Sequence, residues 1–248
     1  MKKLNLSIEI SWIIRRSEGK VYSYPFRYEQ NFFNEVYPPP YTQYTVPIRG
    51  FFQSSTRTAD HNISQTEANF MAMNRLLWME HVNWTRMTII SIVFNLPDLP
   101  FVQKRLLQNA TDLGNSIRPF YGNQIADHYA ELINEHLTIA AELVTAAVKG
   151  DAKTAEAKEK EWYRNGDDIV LFLTKINPYL SKEAIQKMFY LHLALTKEEA
   201  VTMIKKDYQA SIAVFDKIVA EALAMSDLIA SAIVMQFSQL FALQRLYF

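Results

Sequence analysis

The stretch NQIADHYAELINEHLTIAAELVTAAV, residues 123–148, decides the reading of the fold. Ile125, Tyr129, Leu132, His136, Ile139, Leu143 and Ala146 recur in steps of four and three, the seam of a helix packed into a bundle. One member of that seam is polar. His136 stands where a leucine is expected, directly after Glu135. Two further histidines flank it at nearly equal intervals. His81 lies 55 residues earlier and also follows a glutamate, Glu80, and His192 lies 56 residues later.

Composition narrows the classes around this helix. The 248 residues are 49% hydrophobic, enough for a substantial core in one large domain or two small ones. Lys and Arg number 26, and so do Asp and Glu, so there is no basic excess for a nucleic-acid partner. Cysteine is absent, which excludes disulfides, thiolate metal sites and a cysteine nucleophile. Six glycines are few for a nucleotide-binding α/β fold. No uninterrupted apolar run approaches 18 residues, so no membrane span is expected. At the N-terminus, Asn5, Ser7, Glu9 and Ser11 interrupt the apolar run and no small-residue cleavage site follows, so the expected compartment is the cytoplasm.

Residues 4–14 alternate, with Leu4, Leu6, Ile8, Ile10, Trp12 and Ile14 on one side, and Tyr22, Tyr24, Phe26 and Tyr28 alternate in turn. With Ser17-Glu18-Gly19-Lys20 between them, this pattern predicts a β-hairpin whose second strand is an edge at Pro25. Residues 29–64 read as an extended arm rich in Pro, Ser and Thr, with a short strand near residues 44–48. From Ser64 the pattern is helical. Ser64 and Glu67 form a capping box. Breaks fall at residues 95–100, at Arg118-Pro119, at Lys149-Gly150-Asp151 and at Asn177-Pro178. The last turn falls either near Thr196 or at Lys205-Lys206-Asp207.

Antiparallel geometry ties the histidines to other polar residues. With a turn near Pro97, His81 and Asp112 stand at the same height, since each helical residue rises about 1.5 Å. A turn near Gly150 does the same for His136 with Asn165 and Asp168, and a turn near Lys206 for His192 with Glu221. Asn109 and Asn165 are 56 apart, as are Asp112 and Asp168. Three hairpins would thus share one polar level. The candidate metal ligands are His81, Asp112, His136, Asp168, His192 and Glu199, the last on the seam of His192. Asn109, Asn165 and Glu221 support them. Buried His paired with Asn or Asp sets register in many bundles, and that is the plainer reading. Imidazole and carboxylate are also ligands for Fe, Mn or Zn. A third reading is an acid–base pair of His136 and Asp168. The chain has neither the Glu-x-x-His spacing of di-iron bundles nor His-Glu-x-x-His.

EHVNWTR (80–86), LLQNATDLGNSIRPFYG (106–122), EHLTIAAELV (135–144), HLALTKEEAV (192–201) and DYQASIAVFDKI (207–218) together resemble a family of uncharacterised bacterial helical-bundle proteins, some of which carry an acetylglutamate kinase label. The resemblance covers about residues 70–235 and implies a helical bundle. In the family pattern the third histidine also follows a glutamate, and here Leu191 takes that place. The kinase activity would need a Gly-rich phosphate loop, and neither G-x-G-x-x-G nor G-K-[ST] occurs.

The sequence therefore predicts a mainly α protein. Residues 1–64 form a β-hairpin and arm, and residues 65–248 form an antiparallel bundle of about six helical segments. The expected function is non-catalytic binding or assembly around a buried His/Asn/carboxylate layer suited to a divalent metal. The alternative is a metal-dependent or acid–base enzyme using the same layer. The hairpin face and long arm point to a homo-oligomer formed through the N-terminal region.

Overall fold

The computed structural model describes residues 8–15, 21–28 and 63–242. The expected arm, its strand near residues 44–48 and the last six residues lie outside these. Over β1 (Ile8–Arg15) and β2 (Val21–Tyr28) the backbone is extended and paired antiparallel, Ile8 opposite Tyr28 and Arg15 opposite Val21. The chain divides into Met1–Ile63 and Ser64–Phe248, and the site lies wholly in the second unit.

That unit is mainly helical, and four of its helices start where a short polar side chain satisfies an orphan N–H. Ser64 accepts from the Glu67 N–H at 3.0 Å and opens α1 (Gln65–Val93). Asn95, at φ 49°, turns the chain into α2 (Leu99–Val148). Asp151 caps α3 (Ala152–Ile176), Ser181 caps α4 (Lys182–Ile204) and Asp207 caps α5 (Tyr208–Gln236). The last turn thus falls at Lys205–Asp207, with Lys206 at φ 60°. A single turn, α6 (Ser238–Phe241), follows, and its Phe241 stacks on Phe120 at 5.4 Å.

The break expected at Arg118-Pro119 lies a little later. Helix α2 runs through Pro119 and leaves helical geometry only at Gly122, with φ 79° and ψ 176°. Proline removes one backbone donor near the end of that arm, whereas a φ of 79° with ψ 176° is open essentially to glycine alone. Helix α2 is therefore two arms, and they cross at Gly114. A Cβ there would stand 2.7 Å from the Ala126 carbonyl oxygen and 2.8 Å from the Ala130 Cβ.

Helix α1 packs on α2, α2 on α3, α3 on α4, α4 on α5, and α5 back on α1. With α2 folded at Gly122, six helical segments close a circuit of three antiparallel hairpins. The first helix of each hairpin lies inside. Ile89 and Ile92 of α1, Ala141 and Val144 of the second arm of α2, and Ala200 and Met203 of α4 form one buried cluster. Ile89, Val144 and Ala200 each lie eight residues after one of the three histidines. The same three helices must therefore face one another at the histidine level, about 12 Å along the axis. Helix α5 is long and apolar enough by composition to cross a membrane, and half of that window is buried in the bundle. Its apolar character suits a helix packed between α1 and α4.

Candidate functional site

His81, His136 and His192 are all buried, on α1, the second arm of α2 and α4. Each makes the same hydrogen bond through Nδ1 to the second helix of its own hairpin. The partners are Asn109 Oδ1 at 3.0 Å, Asn165 Oδ1 at 2.8 Å and Glu221 Oε2 at 2.9 Å. The tautomer follows from the rest of the network. Asn109 Nδ2 donates to the Leu77 carbonyl at 2.9 Å, and Asn165 Nδ2 to the Leu132 carbonyl at 3.2 Å. Each of those carbonyls lies four residues before its histidine. An amide committed in this way offers its oxygen to the ring, so Nδ1 carries the hydrogen and donates. Glu221 Oε2 accepts from the third ring in the same sense. In the neutral His81 and His136 rings the lone pair is left on Nε2, and none of the three Nε2 atoms makes a hydrogen bond among the described residues.

Burial keeps two of these rings neutral. It pushes His81 down to about 4, with the neighbouring His192 adding to the effect, and His136 down to about 3 for the same reasons. Burial also raises the Glu221 carboxyl, against the pull of His192. Glu221 differs from the two asparagines in having no donor of its own. Its Oε1 is buried without a partner.

Aromatic rings enclose the layer. His81 and His192 have ring centroids 5.8 Å apart, with Trp78 at 5.5 Å from the first and 6.5 Å from the second. His136 lies under Trp162, at 5.2 Å with planes 30° apart, and meets Phe189 edge-on at 6.3 Å. The indole N–H of Trp162 is buried and has no acceptor among the described residues. Trp162 was not among the sequence candidates, although it stands three residues before Asn165 on the same inward seam. Trp78 and Phe189 stand likewise three residues before His81 and His192.

The remaining candidates lie elsewhere. Glu199 is 1% exposed but sits two turns beyond His192, where it pairs with Arg86 of α1. The Arg86 guanidinium also donates to Ser211 at 3.2 Å and lies 4.7 Å over the Phe215 ring. Burial outweighs that pairing and lifts the Glu199 carboxyl to about 7. Asp112 is half-buried and accepts from Gln108 at 3.1 Å, with Arg105 at 3.8 Å. Asp168 is exposed. Each aspartate stands one residue before a buried seam position, Leu113 or Ile169, and is rotated about 100° away from it. The pairing of His136 with Asp168 is therefore not formed, and Asn165 takes that role. Glu80 accepts from Arg105 at 2.8 Å at the rim. Glu135 reaches inward, accepting from Asn165 Nδ2 at 3.1 Å. As placed, no three His, Asp or Glu side chains among the described residues converge closely enough to enclose an ion.

Comparison with family models, curated proteins and solved structures finds no match.

The tautomers and charges are open to direct test. A ring whose folded pKa is lowered contributes stability that is present above its unfolded value of about 6.5 and is lost as the pH falls towards the folded value. For His81 and His136 that window runs from about 6.5 down to about 4 and about 3. Glu199, raised to about 7, works in the opposite sense between about 4.5 and 7, so overall stability is a poor readout. Nitrogen-15 shifts of the rings are the better one. The expected result is that His81 and His136 stay neutral from pH 8 to 5, with the proton on Nδ1. A ring that titrates near 6.5, or carries its proton on Nε2, would contradict this geometry.

Proposed function

We propose that this protein is a non-catalytic binding bundle whose histidine layer holds one divalent transition-metal ion through Nε2 of His81, His136 and His192. The observation that carries the reading is the Nδ1 hydrogen bond made three times over. Ligating histidines are characteristically held in this way, the other ring nitrogen donating to a carbonyl or carboxylate that fixes the ring and raises its basicity. Neutral imidazoles in a cysteine-free, buried layer suit Zn, Fe or Mn. Register alone would need only the Nδ1 bonds. It would give the three Nε2 atoms no partner among the described residues.

One separation suits a site that closes on its ion. Two imidazoles sharing a tetrahedral ion place their ring centroids about 5 Å apart. His81 and His192, at 5.8 Å, are near that separation. His136 has to swing about its bond to Asn165 to join them. The recurrence of the same pair at His81–Asn109, His136–Asn165 and His192–Glu221 supports three copies of one hairpin unit, each supplying one ligand.

For the N-terminal region we propose a role in assembly. The alternating residues of β1 and the aromatic residues of β2 call for a cover, and the chain from residue 29 to 62 is long enough to reach a second copy. Light scattering should give an oligomer for the full chain and a smaller species for a chain beginning at Ser64. A monomeric full chain, or an oligomer unchanged by the truncation, would contradict the assembly role.

Elemental analysis tests the metal. Protein purified without chelators, or loaded with Zn(II) or Co(II), is expected to hold about one ion per chain. His136→Ala should lose it while circular dichroism still reports a helical fold. Wild-type protein without stoichiometric transition metal, even after loading, would leave the layer with a purely structural role.

A further inference from the structure

We infer that the end of the bundle formed by the turns at 94–98, 149–151 and 205–207 is a docking surface for a lipid bilayer with anionic headgroups.

The three turns are neighbours. Ile89 and Ile92 of α1, Ala141 and Val144 of α2, and Ala200 and Met203 of α4 meet in one cluster. The three helices end one to four residues beyond it, at Val93, Val148 and Ile204. Phe94 and Tyr208 have ring centroids 6.3 Å apart, which joins the first turn to the third. Leu99, Lys149 and Asp151 line one cavity, which joins the first turn to the second.

This end exposes apolar side chains. Phe94, Leu96, Phe101, Val148 and Tyr208 are all exposed there, Phe101 to 76%. Apolar residues scattered singly over a surface need no partner, but five on adjoining turns make a patch. The opposite end differs. Its aromatic residues pack on one another, Phe120 meeting Phe237 at 5.5 Å and Phe241 at 5.4 Å.

Charge and shape select the partner. Lys149, Lys153, Lys205 and Lys206 are exposed on or beside the same turns and make no ion pair among the described residues. The three aspartates of the turns are engaged locally. Asp98 accepts from Ser91 at 2.9 Å, Asp151 from the Thr154 N–H at 3.0 Å and Asp207 from the Ala210 N–H at 3.1 Å. The unpaired charge on this face is thus positive. A groove for a peptide helix or strand runs its apolar residues along one direction. Here they come a few at a time from three turns at one level. Projecting rings flanked by lysines match the boundary of a bilayer, where aromatic side chains sit at headgroup depth and ammonium groups reach lipid phosphates. Such contact is peripheral and needs no spanning helix.

Vesicle sedimentation with the full chain tests this. Wild type is expected to co-sediment with phosphatidylcholine vesicles containing about one-third phosphatidylglycerol, and to bind about tenfold less to phosphatidylcholine alone. Phe101→Ser, and separately Lys153→Glu combined with Lys205→Glu, should each weaken binding to the anionic vesicles about tenfold while circular dichroism still reports a helical fold. Leu240→Ser, an exposed apolar residue of the opposite end, should bind as wild type does. Wild type that ignores both kinds of vesicle would overturn the inference, and so would equal binding to the two. Undiminished binding by either variant of the face, or equal weakening by Leu240→Ser, would overturn it as well. If the protein ignores vesicles and light scattering shows Phe101→Ser dissociating an oligomer, the face belongs to a second copy and the inference falls.

Discussion

Each of the three hairpins is tied at one level by a hydrogen bond from a buried imidazole N–H to a side-chain oxygen on the neighbouring helix. The Nδ1 distances, 2.8 to 3.0 Å, are those of well-formed bonds. Neither partner could stand alone in that interior, because a buried polar group without its mate costs about 1–3 kcal/mol. In the first two hairpins the asparagine adds a second constraint by donating to the carbonyl one turn before the histidine. A slip of one residue in helix register would break both bonds at once. The positions of α1, α2 and α4 relative to their partners, and hence the shared inner face, depend on these contacts.

The same bonds decide the chemistry available. They hold the proton on Nδ1, and burial keeps His81 and His136 uncharged. Lone pairs are thus offered by these two rings on the side turned from their own hairpins. The third hairpin departs from the pattern, with Glu221 in place of an asparagine. That difference brings a carboxyl raised by burial, with one unpartnered oxygen, into the layer. The second buried carboxylate, Glu199, is compensated separately by Arg86 and Ser211, where α1, α4 and α5 meet.

Much of this arrangement was legible in the chain because helical packing writes a period into sequence. The four-and-three steps of residues 123–148 marked the inner seam, and Tyr129, Leu132, His136, Ile139, Leu143 and Ala146 are all buried. Turn residues allowed heights to be compared, and that comparison put His81 level with Asp112, three residues past its partner Asn109, His136 with Asn165 and Asp168, and, for a last turn near Lys206, His192 with Glu221. Height says nothing of direction. Asp112 and Asp168 share the 56-residue spacing of the asparagines yet lie off the seam, because each precedes a seam residue by one position, about 100° of helical rotation. Leu106, Asn109 and Leu113, like Trp162, Asn165 and Ile169, lie on one buried seam that excludes the aspartates. Seam membership separates the two cases where spacing cannot. Glu199 shows the converse limit. It lies on the seam of His192, so its burial was legible, but its partner Arg86 comes from another hairpin and left no local signal. The run through Pro119 to Gly122 has the same character, since the crossing at Gly114 involves residues of the second arm that only the folded chain brings near.

The central claim is that three imidazoles, each fixed through Nδ1 by its own hairpin, meet one ion through Nε2. X-ray absorption at the metal edge of the Zn(II)-loaded protein addresses it directly. The account requires a first shell of nitrogen and oxygen at about 2.0 Å with the outer-shell scattering of three imidazole rings. A shell of oxygen alone, or scattering from fewer than two rings, would place the ion outside the histidine layer and contradict the account.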